Sequence, residues 1–168
     1  MRGPARALYR GRQFFGALRP HIDAGLRAEA FRLLREPERR LFESMTLRDR
    51  QHCLQVYGRL RAQGHDDGDL LAASLLHDVG KGQVALWHRV AYVLLQAWAP
   101  ALLHRLASPG QGRSWRQALH RCLRHPELGA ELARQAGSSA QVVALIRAAE
   151  YDAPDERLLA LQAADDTG

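Results

Sequence analysis

Apolar and polar positions along this chain recur with the period of an α-helix. From Ile22 to Leu34 the apolar residues return every three or four positions, which predicts an amphipathic helix. Pro37 then suits the first turn of a second helix over 38–45. No stretch alternates with a period of two, and Val, Ile and Thr are sparse beside Leu, Ala and Arg. The pattern therefore predicts an all-α fold.

Two further helices are predicted on either side of the polar loop 65–68. The first begins after Thr46, with Asp49 in the place that Glu or Gln takes in a capping box. Gly64 ends that helix, and the second one runs to His77. Further helices are predicted at about 126–136, 139–150 and 155–166 because Pro and Gly separate these segments.

The apolar run 70–76 ends in two adjacent metal-ligand residues, His77 and Asp78. Adjacent residues on a helix point about 100° apart, so they share an ion only if it lies off the helix end. Such an ion needs ligands from other segments, and His52 and Asp165 are the candidates. The helical rise puts His52 and His77 about 18 and 16 Å from the connecting loop. An antiparallel pair would bring them to the same height.

Helix geometry indicates which of two adjacent acids near the C-terminal end faces the core. Leu158, Leu161 and Asp165 fall at positions i, i+3 and i+7, which favours Asp165 over Asp166 as the inward-facing acid. A set of imidazoles and carboxylates suits one divalent ion of Mn, Fe, Co, Ni, Zn or Mg.

Lys81 is the one lysine among 24 Lys and Arg residues. Its compact ammonium differs from a guanidinium in shape and hydration. Chance is one explanation for its place, three residues after Asp78. The other is a contact with phosphate or carboxylate as a point charge. Gly80 beside it is a candidate helix stop.

Composition sets broad limits. The chain has 168 residues, of which 46% are hydrophobic and 25% are charged, as in a single soluble domain. Its net charge of +6 suits an anionic substrate or surface. Cys53 and Cys122 form no CxxC pair and fit a reducing, cytoplasmic setting. Residues 1–19 lack the apolar core of a secretory signal.

Two basic or apolar segments leave alternatives open. The N-terminal arginines surround Tyr9, Phe14 and Phe15. That segment either packs its aromatic side chains on the body or forms a basic arm for nucleic acid or an anionic membrane. Residues 84–107 predict a helical hairpin broken at Pro100, too interrupted to span a bilayer. The tryptophans of this region are expected in the core; they are Trp87, Trp98 and Trp115.

The ordered ligands and their surroundings resemble the HD-domain superfamily of metal-dependent phosphohydrolases, which includes bacterial members. The likeness covers about residues 46–166 and rests on four elements: Arg50-Gln51-His52, Leu75-Leu76-His77-Asp78-Val79-Gly80-Lys81, His125-Pro126-Glu127-Leu128-Gly129-Ala130 and Ala163-Ala164-Asp165. The resemblance implies a helical bundle over 46–168, with an inserted helical hairpin at 84–124 and an N-terminal helical segment, 1–45, packed on it.

The resemblance also implies roles for individual residues. His52, His77, Asp78 and Asp165 would bind the metal, with Lys81 near the substrate phosphate. Asp78 would also orient or deprotonate water, and His125 would contact the substrate or a ligand. In two-metal members of the HD-GYP group the matching histidine binds a second ion together with a later His-His pair. Ala148-Ala149 takes that place here, and the Gly-Tyr-Pro signature is missing.

The expected function is hydrolysis of a small, nucleotide-like phosphoester by a phosphomonoesterase or phosphodiesterase. One alternative is a degenerate HD domain that acts as a non-catalytic signalling or interaction module. Another is a binder of nucleic acid or anionic membrane through the N-terminal arginines.

Overall fold

Ten α-helices and one 3₁₀ turn follow one another in the computed structural model, which describes residues 23–109, 114–148 and 155–166; these ranges contain no strand. The helices are α1 Ala24–Leu33, α2 Glu36–Glu43, α3 Leu47–Ala62, α4 Gly68–Leu76, α5 Leu86–Trp98, α6 Pro100–Leu106, α7 Trp115–Leu123, α8 His125–Gln135, α9 Ala140–Ala148 and α10 Glu156–Asp166, with the 3₁₀ turn at Val79–Lys81. The predicted all-α fold is confirmed.

Helix α4 is the central element. Every residue from Leu70 to Leu76 is buried, since α1, α2, α3, α9 and α10 all pack against this helix. Complete enclosure explains why the segment has no polar face, because a helix that is apolar all round has to be covered on all sides. The end of α4 consequently points its next residues, His77 and Asp78, into the interior.

Helices α1 and α2 belong to the same core as the rest of the bundle. Ala30, Leu34, Phe42 and Met45 are buried in one apolar cluster with residues of α3, α4, α9 and α10. The described part of the predicted N-terminal segment thus packs directly on the bundle. Tyr9, Phe14 and Phe15 lie outside the described residues.

The insertion, helices α5 to α7, has a small apolar cluster of its own. Val84, Ala118 and Cys122 are buried there, with Tyr92 packed against them, and α5 has no fully buried residue. The expectation that the tryptophans lie in the core is wrong: Trp87 is 60% exposed and Trp98 85%. No helix in the described ranges combines the length and apolarity needed to cross a bilayer.

Two glycines predicted as helix stops have different roles. Gly64 has a φ of 88° and ends α3 as expected for a left-handed cap. The prediction that Gly80 ends a helix is wrong, because α4 already ends at Leu76. The small size of Gly80 is needed for packing instead, since an added Cβ would lie 2.6 Å from the backbone nitrogen of Gly129 and would also overlap the carbonyl of His125.

Candidate metal centre

Helices α3 and α4 place two histidines side by side. The rings of His52 and His77 have centroids 5.3 Å apart, so the equal height expected from the helical rise is confirmed. Asp78 follows at the end of α4, and its Oδ1 lies 3.5 Å from His77 Nε2. One ligand atom from each of His52, His77 and Asp78 lies within 4.8 Å of the others. This His/His/Asp group could hold a metal ion.

Asp165 reaches the same group from α10. Its Oδ1 lies 2.6 Å from His52 Nε2 and 3.6 Å from His77 Nε2. Leu158 and Leu161 on the same face of α10 are buried, which anchors that helix against the bundle. Asp166 is exposed, so the helix-face argument selected the acid that meets the histidines.

One hydrogen bond fixes the tautomer of His77. Its Nδ1 lies 2.9 Å from the carbonyl oxygen of Ser74, and a carbonyl only accepts, so Nδ1 carries the proton. The other ring nitrogen, Nε2, then faces Asp78 and Asp165. This nitrogen is buried and has no hydrogen-bond partner within the described ranges. A buried imidazole nitrogen of this kind fits a metal ligand, because a divalent ion would satisfy it.

Charged neighbours shift the pKa values of both carboxyl groups in this cluster. Burial opposes ionisation of Asp78, but Lys81 and then His77 outweigh it and hold the pKa of this carboxyl well below its usual range. Burial likewise opposes the charge of Asp165, but the hydrogen bond with His52 and the nearby His77 ring outweigh it and lower its pKa strongly. Both carboxyl groups are therefore anionic at neutral pH, as a cation site requires.

Lys81 lies beside the candidate ligands. Its Nζ is 2.7 Å from the Asp78 carboxylate, and although burial lowers the pKa of this ammonium, Asp78 raises it more. About a quarter of the Lys81 side chain (27%) remains exposed. The structure thus brings Lys81 to the group together with Asp78, as the resemblance implied.

His125, at the first position of α8, is the fifth site residue predicted from the sequence. Its Nδ1 donates to the carbonyl of Cys122 at 2.9 Å, and its Nε2 lies 3.9 Å from Asp78 Oδ1. Burial, followed by the charge of Lys81, lowers the pKa of His125 to about 4. The imidazole is therefore neutral at neutral pH, with its Nε2 lone pair on the side of Asp78.

Sequence reasoning missed the ion pair that supports this group. Arg89 of α5 binds both carboxylate oxygens of Asp49, at 2.5 and 2.7 Å. Asp49 also accepts the Thr46 hydroxyl at 2.7 Å, while Thr46 accepts the Asp49 backbone N–H as the predicted cap. No sequence signal joined residues 40 positions apart. The sequence placed Asp49 in the first turn of α3, and the structure shows that this acid is buried.

A second missed cation lies at the same end of the bundle. Arg121 of α7 donates to the carbonyl oxygen of Gly80 at 3.3 Å. It thereby ties the insertion to the turn that carries Lys81. The absence of acidic residues from the insertion was visible in the sequence, but the position of this guanidinium was not.

Ala148, the first of the two alanines in place of a His-His pair, is the last residue of α9. Ala148 is partly buried and packs against the main core. Ala149 and the following Glu150 lie outside the described residues. In the described ranges, the His/Cys/Asp/Glu cluster with metal-binding spacing is that of His52, His77 and Asp78.

Comparison with known proteins gives no relative for this chain: no protein-family model, no curated protein and no solved structure matches it. The chemistry of the site therefore has to be inferred from its own residues.

Proposed function

We propose that this chain is a metal-dependent phosphohydrolase of the HD-domain superfamily, acting on a small, nucleotide-like phosphoester. The observation that carries the proposal is the meeting of two imidazoles and two carboxylates from α3, α4 and α10 beside a lysine ammonium. Such a group combines ligands for a divalent cation with a donor for an anionic substrate.

The ion would be held by His52, His77, Asp78 and Asp165. The orphaned Nε2 of His77 is the strongest support for this set. When bound, a divalent ion supplies Lewis-acid polarisation of a phosphoryl oxygen and lowers the pKa of water.

Lys81 would bind a phosphate oxygen of the substrate. An ammonium has three N–H donors, and the Asp78 carboxylate occupies one direction around Nζ. Two of its three N–H donors would then remain for a substrate oxygen. By pairing with Asp78, Lys81 would also fix the orientation of this carboxylate while charge develops on the phosphoryl group.

His125 would accept a hydrogen bond rather than donate one. Because its Nδ1–H is engaged with the Cys122 carbonyl, the nitrogen nearer Asp78 carries a lone pair. A neutral imidazole in this orientation suits a hydrogen-bond acceptor for water, or a further metal ligand. It is poorly suited to donate a hydrogen bond to a phosphate oxygen.

The experiment uses two adjacent acids as a matched pair. Purified protein, with its metal content determined by elemental analysis, is assayed on nucleotides, sugar phosphates and phosphodiesters. We expect Asp165→Asn to lose both the ion and activity, and Asp166→Asn to keep both. A fully metal-loaded wild type that hydrolyses nothing in the panel would contradict the enzymatic proposal.

A non-catalytic HD-type module is the second candidate. It is favoured by Ala148 at the position where two-metal HD proteins carry a histidine, and by the exposed apolar side chains of the insertion. In that case Asp165→Asn would still lose the ion, but the wild type would show no turnover. Metal content and activity together therefore separate the two candidates.

A further inference from the structure

Helix α5 carries a continuous apolar face that nothing in the described ranges covers. The exposed residues recur at helical spacing over more than three turns, and we call them the α5 face: Leu86, Trp87, Val90, Val93, Leu94 and Trp98. Exposed apolar side chains occur singly on most proteins, but a contiguous stripe with two tryptophans marks an interaction surface.

The insertion around this face has only one sign of charge. Residues 79–126 contain no Asp or Glu but seven basic residues, namely Lys81, Arg89, Arg105, Arg113, Arg116, Arg121 and Arg124. The exposed Arg105 and Arg116 form no ion pair with a described carboxylate. Arg116 instead donates to the carbonyls of Arg105 and Leu106, so its guanidinium is held at the C-terminal end of α6.

Three of the seven basic residues pair with carboxylates, namely Lys81 with Asp78, Arg89 with Asp49 and Arg124 with Glu127. The exposed Arg105 and Arg116 lie on the helices that contact α5, and an apolar face beside such cations selects among partners. A second copy would place two cationic insertions against each other in a symmetric interface, where like charges repel. Nucleic acid would need cations within the contact itself, and the α5 face consists of aliphatic and indole side chains. Aliphatic and indole groups enter the boundary between lipid headgroups and acyl chains, and arginines bind the anionic headgroups beside them.

We propose that the α5 face docks on an anionic lipid membrane surface, lying in the interface without crossing it. Tryptophan favours this region because its ring is amphipathic. The short helix is compatible with a surface position, since α5 has 13 residues and a span needs about 20. The proposal is independent of the hydrolytic function and assigns the surface to the insertion rather than to the N-terminal arginines.

The chain offers an internal probe for the test. Its three tryptophans, Trp87, Trp98 and Trp115, all lie in the insertion, so intrinsic fluorescence reports on this region. Full-length protein is mixed with phosphatidylcholine vesicles that contain or lack phosphatidylglycerol. We expect co-flotation and a blue-shifted emission with the anionic vesicles only, and weaker binding at high salt.

A matched pair of substitutions tests the face itself. Leu94 is 50% exposed and Leu159 of α10 is 54% exposed, so Leu94→Glu and Leu159→Glu introduce the same charge at equally exposed positions. We expect Leu94→Glu to weaken vesicle binding roughly tenfold or more and Leu159→Glu to bind as wild type. Circular dichroism checks folding, and Trp98→Gln, at the most exposed position, provides a second variant.

Five outcomes would overturn the proposal. They are failure of wild type to bind anionic vesicles, equal binding to neutral ones, or unchanged binding by both Leu94→Glu and Trp98→Gln. The fourth is a wild-type protein that forms a dimer, shows no affinity for vesicles, and becomes monomeric on Leu94→Glu. That result would identify a second copy as the occupant of the α5 face. Full-length protein with Arg2, Arg6, Arg10 and Arg12 changed to Gln should still float, and loss of binding in that variant alone would assign the membrane contact to the N-terminus.

Discussion

Single hydrogen bonds decide what each histidine of the metal centre can do. The carbonyls of Ser74 and Cys122 fix the Nδ1 protons of His77 and His125, and so turn both Nε2 atoms towards Asp78. Each carbonyl comes from three residues before its histidine, at the end of a helix or just before the next one begins. The same local geometry thus prepares one ring as a ligand and the other as an acceptor.

The lysine is the first residue-scale prediction. Lys81→Arg should lower kcat/KM roughly 10- to 100-fold, because a guanidinium reproduces neither the compact charge nor its fit beside Asp78. Far-UV circular dichroism and thermal unfolding should change little, and Lys81→Met should lose still more activity. Full turnover in Lys81→Arg would mean that the single lysine does not bind the phosphate.

The effect of metal removal on stability is the second residue-scale prediction. A ligand present at a hundred times its Kd stabilises the folded state by about 2.7 kcal/mol, so a chelator should lower the Tm of wild type. His77→Ala and Asp78→Ala should respond little to the chelator, whatever their absolute Tm. His104→Ala, at an exposed position of α6, serves as the control and should shift as wild type does. Equal shifts in all four proteins would argue against the assigned ligands.

At the scale of elements, the contact between the 3₁₀ turn and α8 holds the two sides of the site together. Gly80 in the turn faces Gly129 and the His125 carbonyl across a gap with no room for a methyl group. Two glycines at this contact let the backbones approach closely enough to put Lys81 and His125 on either side of Asp78.

Gly80→Ala should therefore destabilise the protein by about 1–3 kcal/mol, since the atoms in the way are backbone and cannot rotate aside. It should also weaken metal binding, because the turn carries Asp78 and Lys81. Gly68→Ala is the control: its Cβ would meet Leu33 at an ordinary 3.7 Å, and alanine favours the helix. Chemical denaturation measures both, and equal stability of the two variants would contradict the packing role of Gly80.

Helix α2 is joined to the start of α9 by a buried acid, Glu38. It accepts from the Arg35 backbone N–H at 2.9 Å, from the Arg35 side chain and from the Ser138 hydroxyl at 2.7 Å. Burial raises the pKa of this carboxyl, but these donors outweigh it, and the net effect is a pKa below the ordinary value of 4.5. A group with a lowered folded-state pKa stabilises the fold above its unfolded pKa and loses that contribution as pH falls.

Glu38→Gln should consequently lower the free energy of unfolding by about 1–2 kcal/mol at neutral pH. The difference from wild type should shrink as pH falls below 4.5, the ordinary pKa of the side chain. Glu36→Gln, at an exposed position of the same helix, is the control and should change stability little. Urea unfolding across pH tests this, and a pH-independent difference would exclude the ionised carboxylate as its source.

For the whole molecule, the prediction concerns the number of metal ions that each chain binds. Two-metal phosphohydrolases hold their ions about 3.5–4 Å apart, and each ion needs several ligands. Alanine offers no lone pair, so Ala148 and Ala149 leave a second ion short of protein donors. We expect one tightly bound ion per chain, and little or no hydrolysis of cyclic dinucleotides.

Elemental analysis and metal titration measure this stoichiometry. Replacing Ala148 and Ala149 with His should raise it if that end of α9 faces the site. Two ions bound stoichiometrically by wild type at low concentration would show that other side chains, such as Glu127 or Glu150, complete a second site.

The sequence by itself determined the helical fold, and it selected the side chains that meet at the candidate metal centre. Helical periodicity depends on neighbours a few positions apart, so the helices and their glycine and proline boundaries were readable from local pattern. The common height of His52 and His77 followed from the rise of two helices around one loop, and Asp165 from the face it shares with Leu158 and Leu161. These inferences needed only the geometry of single helices and one hairpin.

Tertiary structure alone decided what depends on packing between distant segments. Arg89 finds Asp49 across 40 residues, and Gly80 meets Gly129 across 49, contacts for which no local pattern exists. The exposure of Trp87 and Trp98 was likewise unreadable, because an apolar helix face predicts burial whether or not a covering element is present. Only the fold shows that α5 lies at the edge of the bundle, where its apolar face meets solvent.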